Sequence, residues 1–125
     1  MSARAITTSS APAPVGPYNQ AVLAGGWLYC SGQIPIDPAT GSMVGNGDVT
    51  AETRQVLNNL IAVLKEAGAS PSQVVRCTVY SCVHAPWSSA SSERVRTVQW
   101  YAVSVSPGGA LTAARRMVVE DMRRG

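Results

Sequence analysis

Phenylalanine is absent from the 125 residues, and charged residues make up only 14% of them, against about 25% in an average globular domain. With so few charges, Ser, Thr, Gly and apolar groups must cover much of the surface. Burying weakly charged surface against other subunits is one physical solution. Long apolar stretches are missing too. No run of about 18 apolar residues exists, which excludes a transmembrane helix. The first residues lack an apolar stretch of the secretory kind, so no signal peptide is expected. The single histidine, His84, has no local partner for a triad or a metal site. Three cysteines, Cys30, Cys77 and Cys82, show no Cys-x-x-Cys spacing. An odd number without that spacing argues against a disulfide framework and a zinc site. Cys30 and Cys77 sit in apolar runs and read as small buried hydrophobes. Reduced thiols point to a cytoplasmic location, with a mitochondrial one as the alternative.

What remains fits one domain. The length falls in the common 100–150 residue range, and 46% of the residues are apolar. The net charge of +3 is unevenly placed. Residues 1–83 carry four basic and four acidic side chains, whereas residues 84–125 carry six arginines and three acids. A basic end can signal nucleic acid. No interleaving of aromatic and basic residues accompanies it, so a solvated end is the better reading.

Residues 1–15 are rich in Ser, Thr, Ala and Pro and are expected to form a flexible arm. Val22-Leu23-Ala24 and Trp27–Ser31, separated by Gly25-Gly26, predict a hairpin. Pro35 and Pro38 bar a central strand over 34–38. Asp37–Gly41 is turn chemistry, and Ser42–Val44 predicts a short strand. Val56, Leu60, Val63, Leu64 and Ala67 recur at helical spacing and predict a helix from Thr50, its N-cap, to Ala67. Gly68 and Pro71 stop it. Val74–Val83 reads as a buried strand beneath that helix. Beyond it, 95–105 shows no clean period, and 110–122 has the spacing of a helix.

Five phrases carry a resemblance. They are Gly16-Pro17-Tyr18-Asn19-Gln20-Ala21-Val22, Leu28–Pro35 with its Ser31-Gly32-Gln33, Asp37–Gly41, Asn58–Ala69, and Val74–Tyr80. In this order and spacing, residues 16–83 resemble the RidA-like reactive intermediate deaminases of the YjgF superfamily. The resemblance implies an α+β, chorismate-mutase-like fold and a homotrimer built around a barrel of strands. It implies hydrolysis of 2-imino and 2-enamino acids to 2-oxo acids and ammonia, in clefts between subunits and without a cofactor or metal. Residue by residue, it places Tyr18, Ser31 and Gly32 along the substrate cleft. The partner it implies is a small imino acid; the absence of a long apolar run argues against a membrane partner, and the charge pattern disfavours nucleic acid.

After Val83 the phrases stop. The family's Pro-Ala-Arg phrase and its glutamate-bearing final strand have no counterpart, and Ala113-Ala114-Arg115-Arg116 is a faint echo. Neither Arg115, Arg116 nor Glu120 is assigned a role, and the catalytic residues stay unassigned. The chain therefore reads as one domain over 1–125, with a family-like part at 16–83 and a divergent segment at 84–125. Its abrupt onset suggests a shifted reading frame, an alternative exon or a gene-model error, against a diverged half that still folds. The function expected is imine hydrolysis. The alternatives are a catalytically impaired binding or chaperone-like relative, and an RNA-directed translation inhibitor of the ribonuclease type.

Overall fold

The computed structural model describes residues 2–83 and 93–104, with side chains up to Val79. The helix of residues 110–122, Arg115, Arg116, Glu120 and His84 lie outside the described residues. Five strands and one long helix make an α+β unit: β1 (Arg4–Ile6), β2 (Ala21–Ala24), β3 (Trp27–Cys30), α1 (Val49–Glu66), β4 (Val74–Val83) and β5 (Glu93–Ser104). A single turn of 3₁₀ helix, Pro71–Gln73, leads into β4. The strands form one antiparallel sheet in the order β1-β2-β3-β5-β4.

The β2–β3 hairpin forms where Gly25-Gly26 placed it. Both glycines have positive φ, 57° and 79°, which a two-residue turn of matching twist requires. Ala21 then faces Cys30, and Leu23 faces Leu28. That register sends Leu28 and Cys30 into the core and leaves Trp27 and Tyr29 41% and 50% exposed on the opposite face.

α1 begins one residue before the expected N-cap. Asp48, not Thr50, caps it, accepting from the backbone N–H of Thr50 at 2.9 Å and of Ala51 at 3.4 Å. Thr50 is already helical. An aspartate two residues upstream offers a carboxylate that takes both N–H groups, and its charge suits the positive end of the helix. The last turn closes as expected at Gly68, φ 77°. The N–H groups of Gly68 and Ala69 donate to Lys65 O and Leu64 O, a Schellman closure.

The predicted apolar stripe is the core-facing one. Val56, Leu60, Val63 and Leu64 are fully buried, together with Ile6, Ala21, Leu28, Cys30 and Val74. Burial of Cys30 pushes its thiol up to about 11. It therefore stays protonated at neutral pH and acts as packing rather than as a nucleophile.

Three parts of the chain differ from the sequence reading. Residues 1–15, expected as a flexible arm, supply β1 as an edge strand, and they bury Ile6 and Ala11. A composition of Ser, Thr and Pro hid a segment held by one distant side chain, described below. Ser42–Val44 makes no strand; Met43 forms one isolated bridge with Ile36, because the neighbouring prolines limit the ladder to that contact. Residues 93–104, where no period is visible, pair with both β3 and β4. The pairing of this strand rests on backbone hydrogen bonds, which side-chain periodicity does not report.

Replacing Leu60 with Ala tests the register of α1. The side chain is 0% exposed in the core, so the substitution is expected to cost about 2–5 kcal/mol in denaturant unfolding. A cost under about 0.5 kcal/mol would put Leu60 on the outer face.

Candidate functional site

Two loops meet beside the hairpin, and a buried carboxamide positions each. Gln20, 2% exposed, reaches back across the first segment. Its Oε1 accepts from Thr8 N at 2.6 Å, and its Nε2 donates to the carbonyls of Thr8, Ala11 and Pro12 at 3.0, 3.3 and 2.8 Å. One side chain thus satisfies the backbone of a stretch that makes no ladder of its own. On the other side Asn59, buried on α1, donates to the carbonyls of Ile34 and Ile36 at 3.2 and 2.9 Å and accepts from Gln55. It pins the proline-rich 34–36 loop to the helix.

Between these loops lies a small cleft lined by residues 12–15, Tyr18, Gln20, Gly32, Gln33, Ile34 and Ile36. Its volume is ≈ 20 Å³. Tyr18 stands at the rim, 46% exposed. Its hydroxyl accepts from Val15 N at 3.3 Å, which leaves its own O–H free to donate. Gly16 lies under the ring; a Cβ there would come within 3.2 Å of it. Ser31 is next to the cleft but does not line it. Its hydroxyl donates to Asn19 O, and its N–H donates to Gln20 O at 2.9 Å, so it fastens the end of β3 to the Tyr18 segment. Of the three residues singled out from the sequence, Tyr18 and Gly32 come together on one cleft. Ser31 supports it from behind.

Gln33 also lines this cleft, 6% exposed. It stands in the quoted Ser-Gly-Gln phrase, yet nothing in the sequence tells a buried glutamine from a surface one. No group of three or more potential metal ligands occurs among the described residues, and no described helix is long and apolar enough to cross a membrane.

A larger hollow of ≈ 530 Å³ runs along the outer side of α1, lined by Val49, Thr50, Thr53, Arg54, Leu57, Asn58 and Ile61. Its described walls come from one helix, and none of these residues is buried. Catalysis needs fixed, partly desolvated groups, so the smaller cleft is the better site despite its size.

The fold is that of a small α+β chain with a cleft at the loop ends of a hairpin. A family model described as Endoribonuclease L-PSP matches residues 8–117, and the chain belongs to that family as a RidA-like member of the YjgF superfamily. It is 51% identical over 80 residues to the RutC family protein slr0709 of Synechocystis, covering 64% of this chain and 62% of that one. It is 46% identical over 76 residues to the 2-iminobutanoate/2-iminopropanoate deaminase of Homo sapiens, covering 61% and 55%. The crystal structure of E. coli TdcF with bound serine superposes with a TM-score of 0.59 at 37% identity, covering 62% and 60%. The chain spans about three fifths of the length of the curated relatives it matches. The family match, to residue 117, extends beyond the five phrases that end at Tyr80.

Gln20→Leu tests what holds the cleft's first wall. The variant leaves one N–H and three carbonyls without their partner, and a stability loss of about 2–4 kcal/mol is expected. Hydrogen exchange at the Thr8 amide is expected to accelerate with it. Unchanged exchange at Thr8 would show that β1 alone holds the segment.

Proposed function

We propose that this chain hydrolyses 2-imino acids to 2-oxo acids and ammonia at the Tyr18–Gly32 cleft, at a rate below that of a full-length deaminase. The observation that carries this reading is that Tyr18 and Gly32, drawn from separate phrases, line one cleft. The deaminase relative at 46% identity and the serine-bound structure support a small amino-acid-like ligand.

The chemistry suits the residues. A protonated imine beside a carboxylate is already electrophilic at C2, so the protein's task is to orient it, to supply water and to move protons. The free Tyr18 O–H is placed to donate to a substrate oxygen. Ser31 keeps Asn19 and Gln20 in register with the end of β3, so the Tyr18 rim and the Gly32 backbone keep their spacing. The missing piece is a cation for the carboxylate, since an unpaired buried carboxylate is costly. No phrase in the sequence supplies that arginine, and this favours the second reading, a catalytically impaired relative that still binds the ligand. The ribonuclease-type reading has the family description and the +3 charge in its favour, and no basic side chain lines the cleft among the described residues.

The outer face of the hairpin supports assembly. Trp27 and Tyr29 project from it beside half-buried Val22 and Ala24. We propose that this face packs against two further copies, as the family resemblance implies. Sedimentation is expected to give a species of about three times 13.1 kDa; a monomer would remove the trimer from this account.

The direct assay feeds the purified chain an imine formed in place by a threonine dehydratase and follows 2-oxobutanoate release. Measurable acceleration is expected, about a hundredfold or more below a complete deaminase. Tyr18→Phe is expected to lower it by a further factor of about ten with the fold intact. Unchanged rates in Tyr18→Phe would leave Tyr18 a packing residue.

A further inference from the structure

We propose that Gly16 is a positioning residue for the cleft: its bare Cα seats the ring of Tyr18 and thereby fixes where the Tyr18 hydroxyl meets the ligand. The effect on rate rests on the reading of the chain as an imine hydrolase; the seat itself does not.

The turn that carries Tyr18 is closed on itself twice. Tyr18 N–H donates to Gly16 O at 2.8 Å, a three-residue turn whose central φ is pre-set by Pro17. Val15 N–H donates to the Tyr18 hydroxyl at 3.3 Å. The ring thus folds back over Gly16. Its Cε1 lies 3.2 Å, and its Cδ1 3.4 Å, from the place a Gly16 Cβ would take. Among the described residues, apart from the two chain neighbours, no other atom comes within 4 Å of that place.

Backbone conformation does not require glycine here. Gly16 has no positive φ, and Pro17 disfavours the helical region for the residue before it. An extended conformation remains, which any residue adopts. What the missing side chain provides is room for one ring. A contact of 3.2 Å obliges the neighbour to give by a few tenths of an ångström. Tyr18, half exposed at the rim, has solvent to move into. A methyl group at position 16 therefore lifts the ring without straining the fold. The hydroxyl lies beyond Cε1 on that ring and moves with it. Its bond from Val15 N–H is already long and does not survive the lift.

Gly16 itself does not line the cleft, so it acts on a ligand only through Tyr18. The Val15 bond fixes the phenol oxygen at one point of the rim and leaves its O–H to donate to a substrate oxygen. Released from that bond, the hydroxyl no longer meets the substrate at a fixed place. A misplacement of about 1 Å can cost about a hundredfold in rate, so a few tenths cost about threefold to tenfold. The loss is bounded by that of removing the hydroxyl altogether.

Gly16→Ala separates this role from a structural one. Alanine at a compatible site restricts the unfolded chain, so the melting temperature is expected to stay or rise. The kcat/KM for imine hydrolysis is expected to fall about threefold to tenfold. Combined with Tyr18→Phe, the substitution is expected to add nothing, because the group it displaces is gone. A lowered melting temperature with kcat/KM unchanged would make Gly16 structural, and a full further loss in the double variant would mean that it does not act through the hydroxyl; either overturns the proposal. The Val15 amide proton gives a measurement independent of turnover. Its NMR resonance is expected to move upfield in Gly16→Ala and in Tyr18→Phe alike, since both take away its acceptor. An unmoved resonance in Gly16→Ala overturns the seat. The upfield shift in a chain that hydrolyses no imine would uphold the seat and remove the reaction instead.

Discussion

The cleft depends on a rule about burial: a polar group taken out of water must find a partner. Gln20 and Asn59 obey it by bonding to backbone far away in sequence, 8–12 and 23–25 residues distant. Those bonds give definite positions to two segments that repetitive secondary structure cannot hold. One is a Ser-, Thr- and Pro-rich stretch near the start of the chain; the other is a loop with a proline at its centre. The two amides thereby hold the segments that line the cleft, 12–15 on one side and 34–36 on the other.

Backbone geometry makes a similar demand at the entry to α1. Gly45, Asn46 and Gly47 all have positive φ, and Gly47 N–H donates to the buried Glu52 carboxylate at 2.9 Å. A Cβ on Gly45 would lie 2.3 Å from Glu52 Cγ, so only glycine allows this approach. The loop after the Ile36–Met43 bridge is thus tied to the first turn of α1, while Asn59, two turns on, holds the loop before it. One helix fixes both ends of the segment that carries Pro35 and Pro38.

Much of the architecture is legible from residues alone, because the relevant signals are local. Gly-Gly between apolar runs is a hairpin at short range, and the 3.6-residue recurrence of Val56, Leu60, Val63 and Leu64 needs no partner to be seen. The failures are non-local. Nothing in the stretch around Ile6 announces that a glutamine twelve residues beyond Thr8 will hold the segment. Nothing in the stretch from 95 to 105 shows that it lies between two other strands. The cleft divides the same way. Tyr18 and Gly32 are visible through family phrases, whereas the burial of Gln33 beside them shows only in the structure. Ser31 is singled out by the same Ser-Gly-Gln phrase, and in the structure its hydroxyl donates to Asn19 O.

The central claim is that the mouth of the small cleft beside Tyr18, and not the larger hollow along α1, receives a 2-oxo or 2-imino acid. A crystal structure of the chain grown with saturating 2-oxobutanoate tests this most directly. The account predicts ligand density at the cleft mouth, with a ligand oxygen within about 3.5 Å of the Tyr18 hydroxyl. Density against Val49, Leu57 and Ile61, or an empty cleft at saturation, would contradict it.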